Sequence, residues 1–376
     1  MTTRIPLSSP DITQAEIDAV TRVLHTPNLS LGPELVAFEL ALARYHAVPH
    51  AVAVSSGTAG LHLALLALGI GPGDEVIVPS FAFIAVANAV LHVGATPVFV
   101  EIDPTTLNLA VAAVEQAITP RTRAILVVHT FGVPAEMAEL QWIAARHGLA
   151  LIEDACEAIG AEFHGGRVGS FGDVAVFGFY PNKQITTGEG GAVLTRRSDL
   201  AVLLRSLRNQ GRSSELDWLD HARIGYNYRL SDMACALGTV QLGRIDEILA
   251  ARRIAAESYH ALLRNIDGMR LPPLALPGRT VSWFVFVVLI PEHADRDRLQ
   301  ATLTERGIAT GRYFAPIHRQ PAWLNHPSAT GISLPITEAI ASRSLALPFF
   351  SRIRLEEQQE VASALMDALE AQRRVR

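Results

Sequence analysis

Cysteine is scarce in this chain. Only Cys156 and Cys235 occur among its 376 residues, which excludes a disulfide framework. Long apolar runs are missing as well. The densest, over 281–290, falls short of the ~18–20 residues of a membrane span and reads as a buried strand. An excess of positive charge is also absent. The net charge is −5, which argues against the basic footprint of a nucleic-acid binder, local patches aside. Charged residues make up only 18% and hydrophobic residues 49%, so the chain can bury a large core and does not read as disordered. No apolar signal core follows Arg4 and Asp11, so a cytoplasmic protein is expected. The length suggests two domains.

Lysine is the scarcest of all. Of 32 basic residues, 31 are arginine, and Lys183 stands alone. A composition bias towards arginine explains the 31. The exception is informative because lysine can lose its proton and act as an amine nucleophile, which arginine cannot do.

Over the first ~200 residues, short β-rich runs alternate with helical patterns, as expected of an α/β chain. Strands are predicted at 51–55, 75–79, 97–102, 123–129, 149–153 and 173–179. Helices are predicted at 58–68, 82–92, 110–118 and 135–147. The near-continuous apolar character of these strands fits a mostly parallel sheet covered by helices on both faces. From Ser231 a single long helix is expected to about Leu263, capped by Ser231–Asp232 and connecting two domains. A smaller α/β region follows. It has a strand at 282–290, helices at 295–306, 335–345 and 355–373, and a proline-rich loop between 312 and 335.

Three stretches carry chemistry. Ser55-Ser56-Gly57-Thr58-Ala59-Gly60 follows a strand and opens a helix, where small residues, exposed N–H groups and the Thr58 hydroxyl suit a phosphate. An ordinary capped β–α turn is the plainer reading. The apolar run from Leu149 ends in Glu153-Asp154, at the strand end where open α/β sheets bind ligands. There an Asp can hold a protonated ring nitrogen, or simply cap the next helix. Lys183 follows the strand at 173–179 and precedes the turn-forming Gly188-Glu189-Gly190-Gly191. Phosphate anchor, carboxylate and lysine thus fall on one sheet edge. Pyridoxal 5′-phosphate, an aldehyde with a phosphate and a basic ring nitrogen, needs this set.

These motifs resemble those of the DegT/DnrJ/EryC1/StrS family of PLP-dependent (nucleotide-)sugar aminotransferases. The likeness runs from about Leu31-Gly32-Pro33 to His318, and more loosely to the C-terminus. It rests on Ser56-Gly57-Thr58-Ala59, the 71–80 run Gly-Pro-Gly-Asp-Glu-Val-Ile-Val-Pro-Ser, Glu153-Asp154, Pro181-Asn182-Lys183 and Gly225-Tyr226-Asn227-Tyr228-Arg229.

The resemblance implies an aspartate-aminotransferase-like α/β fold (fold type I). A large domain over 1–245, with a mostly parallel seven-stranded sheet between helices, would be followed by a smaller C-terminal α/β domain over 246–376. The N-terminal segment would pack on the small domain. It further implies Lys183 as the Schiff-base lysine and Asp154 as the partner of the pyridine nitrogen. Gly57, Thr58 and Ala59 would bind the phosphate, and Phe83 would stack on the ring. Glu157 stands where the family often has His or Gln near the ring hydroxyl. Asn227 would reach the phosphate of a neighbouring subunit, implying a homodimer with shared sites. Arg229, Tyr313 and His318 would lie on the substrate side, and no metal is expected.

There are departures from the pattern. Gly178 replaces a frequent phosphate-binding Ser, Ala82 to Val86 lacks the usual hydroxyls around Phe83, and Gly60 replaces a frequent Ala. Lys183 argues against the family's dehydratases, which carry histidine there. The expected reaction moves an amino group, from L-glutamate, to a nucleotide-linked keto sugar. A keto-cyclitol aminotransferase, another PLP enzyme of this fold, or a non-catalytic regulatory protein are the alternatives. A dinucleotide-binding oxidoreductase ranks low, because no G-x-G-x-x-G with a following ribose acid occurs.

Overall fold

Short Val-, Ile- and Ala-rich runs become strands because they bury both faces, and the turn-rich segments between them reverse the chain. A computed structural model describes residues 3–213, 216–217 and 220–374. After α1 (Gln14–Leu24) and α2 (Pro33–Tyr45), strands and helices alternate: β1 (His50–Val54), α3 (Gly57–Ala67), β2 (Glu75–Pro79), α4 (Ala85–His92), β3 (Thr96–Val100), α5 (Val111–Gln116), β4 (Thr122–Val128), α6 (Met137–His147) and β5 (Ala150–Asp154). A small excursion, β6 (Glu162–Phe163) and β7 (Gly166–Arg167), leads to β8 (Val174–Gly178), β9 (Gly191–Thr195) and α7 (Ser198–Arg208). The rest comprises α8 (Asp232–Gly243), α9 (Ile245–Leu263), β10 (Arg279–Thr280), β11 (Phe286–Leu289), α10 (Arg296–Glu305), α11 (Pro335–Arg343), β12 (Ser344–Leu347) and α12 (Leu355–Arg374).

The main sheet has seven strands in the order β1-β9-β8-β5-β4-β2-β3. Only β9 runs antiparallel to its neighbours β1 and β8, while the other pairings are parallel. Successive side chains alternate between faces. Val52 and Val54 pack with α3, α4 and α7 on one side. Ala51 and Ala53 pack with α2 and α8 on the other. Because every strand but β9 points the same way, their carboxyl ends share one edge.

Several elements differ from the expectation. The predicted helix from Ser231 to Leu263 is two helices that break at Arg244, although Ser231 does cap the first by accepting the Ala234 N–H. The break serves the N-terminal segment. Arg244 there pairs with Glu16 (2.8 Å) and Asp11 (3.1 Å). The helix expected to reach residue 345 ends at Arg343, because Ser344–Leu347 is buried on all sides and pairs with β11. Helices α1, α2 and α7 and strand β9 lie outside the predicted elements. Asp232, at the start of α8, also caps another helix: its carboxylate accepts the N–H groups of Gly32 (2.8 Å) and Glu34 (3.0 Å) at the start of α2. Gly32 itself has no side chain to cap with.

Packing divides within α9. Ile245 and Ile248 join the core beneath β8 and β9, whereas Ala255, Ala256, Tyr259 and Leu263 join a second core with β11, β12 and α12. Ile5 from the N-terminus is buried in that second core. No described helix is long and apolar enough to cross a membrane.

Candidate active site

Three strand ends and one returning strand build a cavity of about 450 Å³ on the carboxyl edge of the main sheet. The turn after β1 supplies Ser56, Gly57 and Thr58, with Ser56 capping α3 through its hydroxyl, which accepts the Ala59 N–H at 3.0 Å. The end of β5 supplies Asp154, and the loop after β8 supplies Asn182 and Lys183. Strand β9 returns beside them and closes tightly on the first turn. A Cβ on Gly191 would lie 2.6 Å from the Ser56 carbonyl carbon and 2.7 Å from the Gly57 nitrogen, so only glycine fits.

Strand alternation separates the two acids of Glu153-Asp154. Asp154 lines the cavity, where its Oδ1 accepts the Cys156 N–H at 3.0 Å. Glu153 faces the opposite side, fully buried. It accepts the N–H groups of Gly169, Phe171 and Gly172 at 2.7–2.8 Å. It also accepts from His129 Nε2 at 3.0 Å, while His129 Nδ1 accepts the Ala135 N–H, which fixes the tautomer. Burial pushes Glu153 towards protonation, but His129 and the backbone donors outweigh it and hold the carboxyl below its ordinary pKa. Glu153 is therefore a clamp on the 169–172 turn.

Lys183 projects into the cavity. Its Nζ lies 3.6 Å from Glu157 Oε1 and 3.9 Å from the centre of the Phe284 ring. The other carboxyl oxygen of Glu157 accepts the Phe131 N–H at 2.9 Å. Phe131 holds a left-handed backbone (φ 58°), uncommon for a bulky residue, and this places that N–H. Burial raises the pKa of both Asp154 and Glu157, and the Lys183 cation opposes the rise at each. Burial likewise pushes the Cys156 thiol up, with the Asp154 charge adding to it, so Cys156 is a neutral wall.

Most of the residues singled out in the sequence meet here, and the exceptions are specific. Gly57, Thr58, Phe83, Asp154, Glu157, Lys183 and Tyr313 all line the cavity. Phe83 stands at its mouth, 61% exposed. Tyr313 OH accepts from Asn182 Nδ2 at 3.5 Å. Ala59 is buried and off the cavity wall, and its N–H donates to Ser56 Oγ. His318 is off it as well. Both its ring nitrogens are engaged, with Ser80 Oγ at 2.6 Å and Glu338 Oε1 at 3.1 Å. It staples the 313–318 loop to the end of β2 and so carries Tyr313 inward.

Asn227 and Arg229 also stand off their own chain's cavity. Asn227 is exposed and bridges to Asn209, and Arg229 Nη1 donates to Asn209 Oδ1 at 3.0 Å. Gly178 has a structural reason. A Cβ there would sit 3.2 Å from Cys156 Sγ, tight enough that a serine would need the sulfur to give way by a few tenths of an ångström. Sequence reasoning passed over Phe131 and Phe284, which come from distant segments and carry no local signal. It also passed over Asn182, whose adjacency to the lone lysine was a usable one. Among the described residues no group of His, Cys, Asp and Glu is placed to hold a metal ion.

A lone lysine between carboxylates, beside a helix N-terminus on the carboxyl edge of a mostly parallel sheet, defines a class of enzyme. The chain matches the DegT/DnrJ/EryC1/StrS aminotransferase family over residues 10–366 and belongs to it, as a PLP-dependent aminotransferase. It is 42% identical over 371 residues to GDP-perosamine synthase of Caulobacter vibrioides, covering 97% of this chain and 98% of that one. Among solved structures it resembles DesV of S. venezuelae in complex with a ketimine intermediate (TM-score 0.89, 40% identity, 97% and 98% of the two chains). It also resembles the aminotransferase TlmJ of Streptoalloteichus hindustanus (TM-score 0.92, 33% identity, 98% and 99%).

Proposed function

We propose that the chain binds pyridoxal 5′-phosphate in this cavity and moves an amino group from L-glutamate to the keto carbon of a nucleotide-linked sugar. The observation that carries the reading is the position of Lys183. The only primary amine on any side chain of 376 residues lies 3.6 Å from a buried carboxyl group, at the focus of the sheet edge. The relatives support the substrate class, since one is a GDP-perosamine synthase.

The donor set fits the cofactor. The start of α3 presents the N–H groups of Gly57 and Thr58 and the Thr58 hydroxyl, which suit a phosphate. Asp154 suits a protonated ring nitrogen, and that cation would oppose the rise that burial imposes on the carboxyl. Glu157 would face the ring hydroxyl and share a proton with it, and its Phe131 contact fixes which oxygen faces inward. When bound, the cofactor supplies the electron sink for breaking the bond to the substrate α-hydrogen. Lys183 would hold the cofactor through its Nζ and, once freed by the incoming amine, would take up and return the substrate proton. Phe284 and Tyr313 exclude water from that amine, and Phe83 covers the mouth. The two halves of the reaction use the same groups in turn, which makes the kinetics ping-pong.

The site is shared in a homodimer on this reading. Asn227 faces away from its own cavity, and the neighbouring Ile224 is 91% exposed, an apolar side chain without cover in a single chain. In a pair of chains related by a two-fold axis, Asn227 of each reaches the phosphate in the other.

The test is a visible absorption spectrum of the purified protein with added pyridoxal 5′-phosphate, before and after L-glutamate. A yellow band that glutamate bleaches, and that a nucleotide-linked keto sugar restores, is the expected result. A band that ignores glutamate counts against the donor, and no band counts against the cofactor. Sharing has its own test. Asn227→Ala should weaken cofactor retention about tenfold, as expected for the loss of one hydrogen bond to a charged group. Mixed with Lys183→Ala chains at limiting cofactor, it should regain activity in about a quarter of all sites, since half of randomly paired dimers are mixed and each holds one intact site. Strict absence of rescue would leave each site within one chain.

A further inference from the structure

Lys183 is held from behind as well as from the cavity side. Arg252 sits on α9 between Ile248, which packs in the main core, and Ala255, which packs in the second core. It is among the largest fully buried side chains in the protein, at 2% exposure. Burial lowers its pKa to about 10, so it stays charged at neutral pH. Among the described residues it has no carboxylate partner in hydrogen-bonding contact. Its guanidinium instead donates to three backbone carbonyl oxygens: from Nη1 to Trp283 (3.2 Å) and Phe284 (3.1 Å), and from Nη2 to Lys183 (3.3 Å).

Desolvating a cation without a counter-charge is costly. The guanidinium lies 5.7 Å from the centre of the Phe349 ring, and its three hydrogen bonds share one target. Two of them fix the segment where Trp283 adopts a left-handed backbone (φ 53°), and the next residue, Phe284, then lays its ring 3.9 Å from Lys183 Nζ. The third fixes the backbone of Lys183 itself. One planar fork thus ties the amine's own chain to the ring that covers the amine. Arg252→Lys keeps three donors but gathers them on one nitrogen at the end of a flexible stem, without the planar fork that spans these carbonyls from two nitrogens.

We propose that Arg252 is a positioning residue for Lys183, setting the direction of its amine by clipping the lysine backbone to residues 283 and 284. The inference rests on Lys183 being the reacting amine, and it adds a group that touches neither cofactor nor substrate. It differs from a core arginine that merely stabilises the fold, because such a residue would leave the pose of the amine unchanged.

The lone lysine makes the test direct. Apoprotein is mixed with pyridoxal 5′-phosphate, the adduct is trapped with borohydride, and peptide mapping separates Lys183 from the N-terminal amine. Visible circular dichroism of the bound chromophore reports its orientation, and glutamate turnover gives kcat and KM separately. Arg252→Met and Arg252→Lys are compared with wild type, with thermal melting as the control for folding. In Arg252→Met, trapping at Lys183 should slow about tenfold and kcat should fall ten- to a hundredfold with KM within about threefold, the pattern of a misplaced reacting group. The dichroism should lose most of its amplitude. Arg252→Lys should recover part of each. A lower melting temperature with trapping, dichroism and kcat within about twofold of wild type would overturn the proposal in favour of a purely structural role. So would failure of both variants to fold. Absence of any adduct at Lys183 in wild type would instead remove the reading beneath it, and the proposal with it.

Discussion

Lys183→Arg should yield a folded protein with no measurable amino transfer. The substitution keeps the positive charge beside Glu157 and nearly the same length, so the ion pair at 3.6 Å and the contact with the Phe284 ring have a replacement. What it removes is an amine that can lose its proton and bond to a carbonyl carbon. Lys183→Ala removes both the amine and the charge. With the proton carrier gone, either variant should lose more than about 10⁴-fold in kcat, the upper range for a positioned acid–base group. Because no second lysine exists, no neighbouring side chain supplies a substitute amine. Borohydride trapping should find no pyridoxyl-lysine in either. The two variants separate chemistry from electrostatics: Lys183→Ala leaves Asp154 and Glu157 without the cation that opposes their protonation, and Lys183→Arg does not. Turnover by either variant within tenfold of wild type would dismiss Lys183 as the reacting group.

What the sequence made legible follows from what is local. A β–α turn with Ser56-Gly57-Thr58 announces its capped helix, since the cap and the first-turn donors belong to neighbouring residues. The β5 run announces a strand whose end carries Asp154, and strand alternation decides that Glu153 looks the other way. The lone lysine needs only counting. Positions were less legible wherever a distant segment decides. The pattern through 231–263 reads as one helix, yet it breaks at Arg244, just after Gly243, and the Arg244 side chain pairs there with Asp11 and Glu16, more than two hundred residues earlier. Strand β12 reads as the end of a helix until β11 is there to pair with it.

The same holds for the site. Phe284 and Phe131 shape the surroundings of Lys183 and Glu157, but they reach them only through the fold. Residue type alone says less than the hydrogen bonds do in two places. His318 has the chemistry of a substrate-side acid–base group, and the structure uses both of its nitrogens to hold a loop. Ala59 belongs to the stretch read as a phosphate site, and the serine that caps its helix accepts its N–H. Motif membership places a residue near a site, and the hydrogen bonds already made decide whether it is available there.

Asp154→Asn should move activity and stability in opposite directions. The amide is nearly isosteric and keeps an oxygen to accept the Cys156 N–H at 3.0 Å, so the end of β5 need not rearrange. It loses the charge that would hold a proton on the cofactor's ring nitrogen. Without that proton the ring withdraws electrons poorly, and proton abstraction by Lys183 should slow by about 10²–10⁴-fold, comparable to removing a main electrostatic stabiliser. Cofactor retention should fall far less, because the phosphate contacts at Gly57 and Thr58 and the bond to Lys183 are untouched. Stability of the apoprotein follows from linkage. Burial raises the pKa of Asp154 above its ordinary value in the folded chain. The folded state therefore binds the proton more tightly than the unfolded state. The stabilisation is complete below the ordinary carboxylate pKa and is lost as pH rises through the raised one. The wild-type apoprotein gives up this stabilisation as pH rises, whereas asparagine, which does not titrate, does not. Asp154→Asn apoprotein should accordingly melt at a higher temperature than wild type at pH 7, with the gap closing towards pH 4, and added cofactor should narrow it by supplying the missing cation to wild type alone. Thermal melts of both proteins across that range, with and without cofactor, check the claim. An Asn variant less stable than wild type at neutral pH would mean that Lys183 already neutralises the carboxylate in the empty cavity.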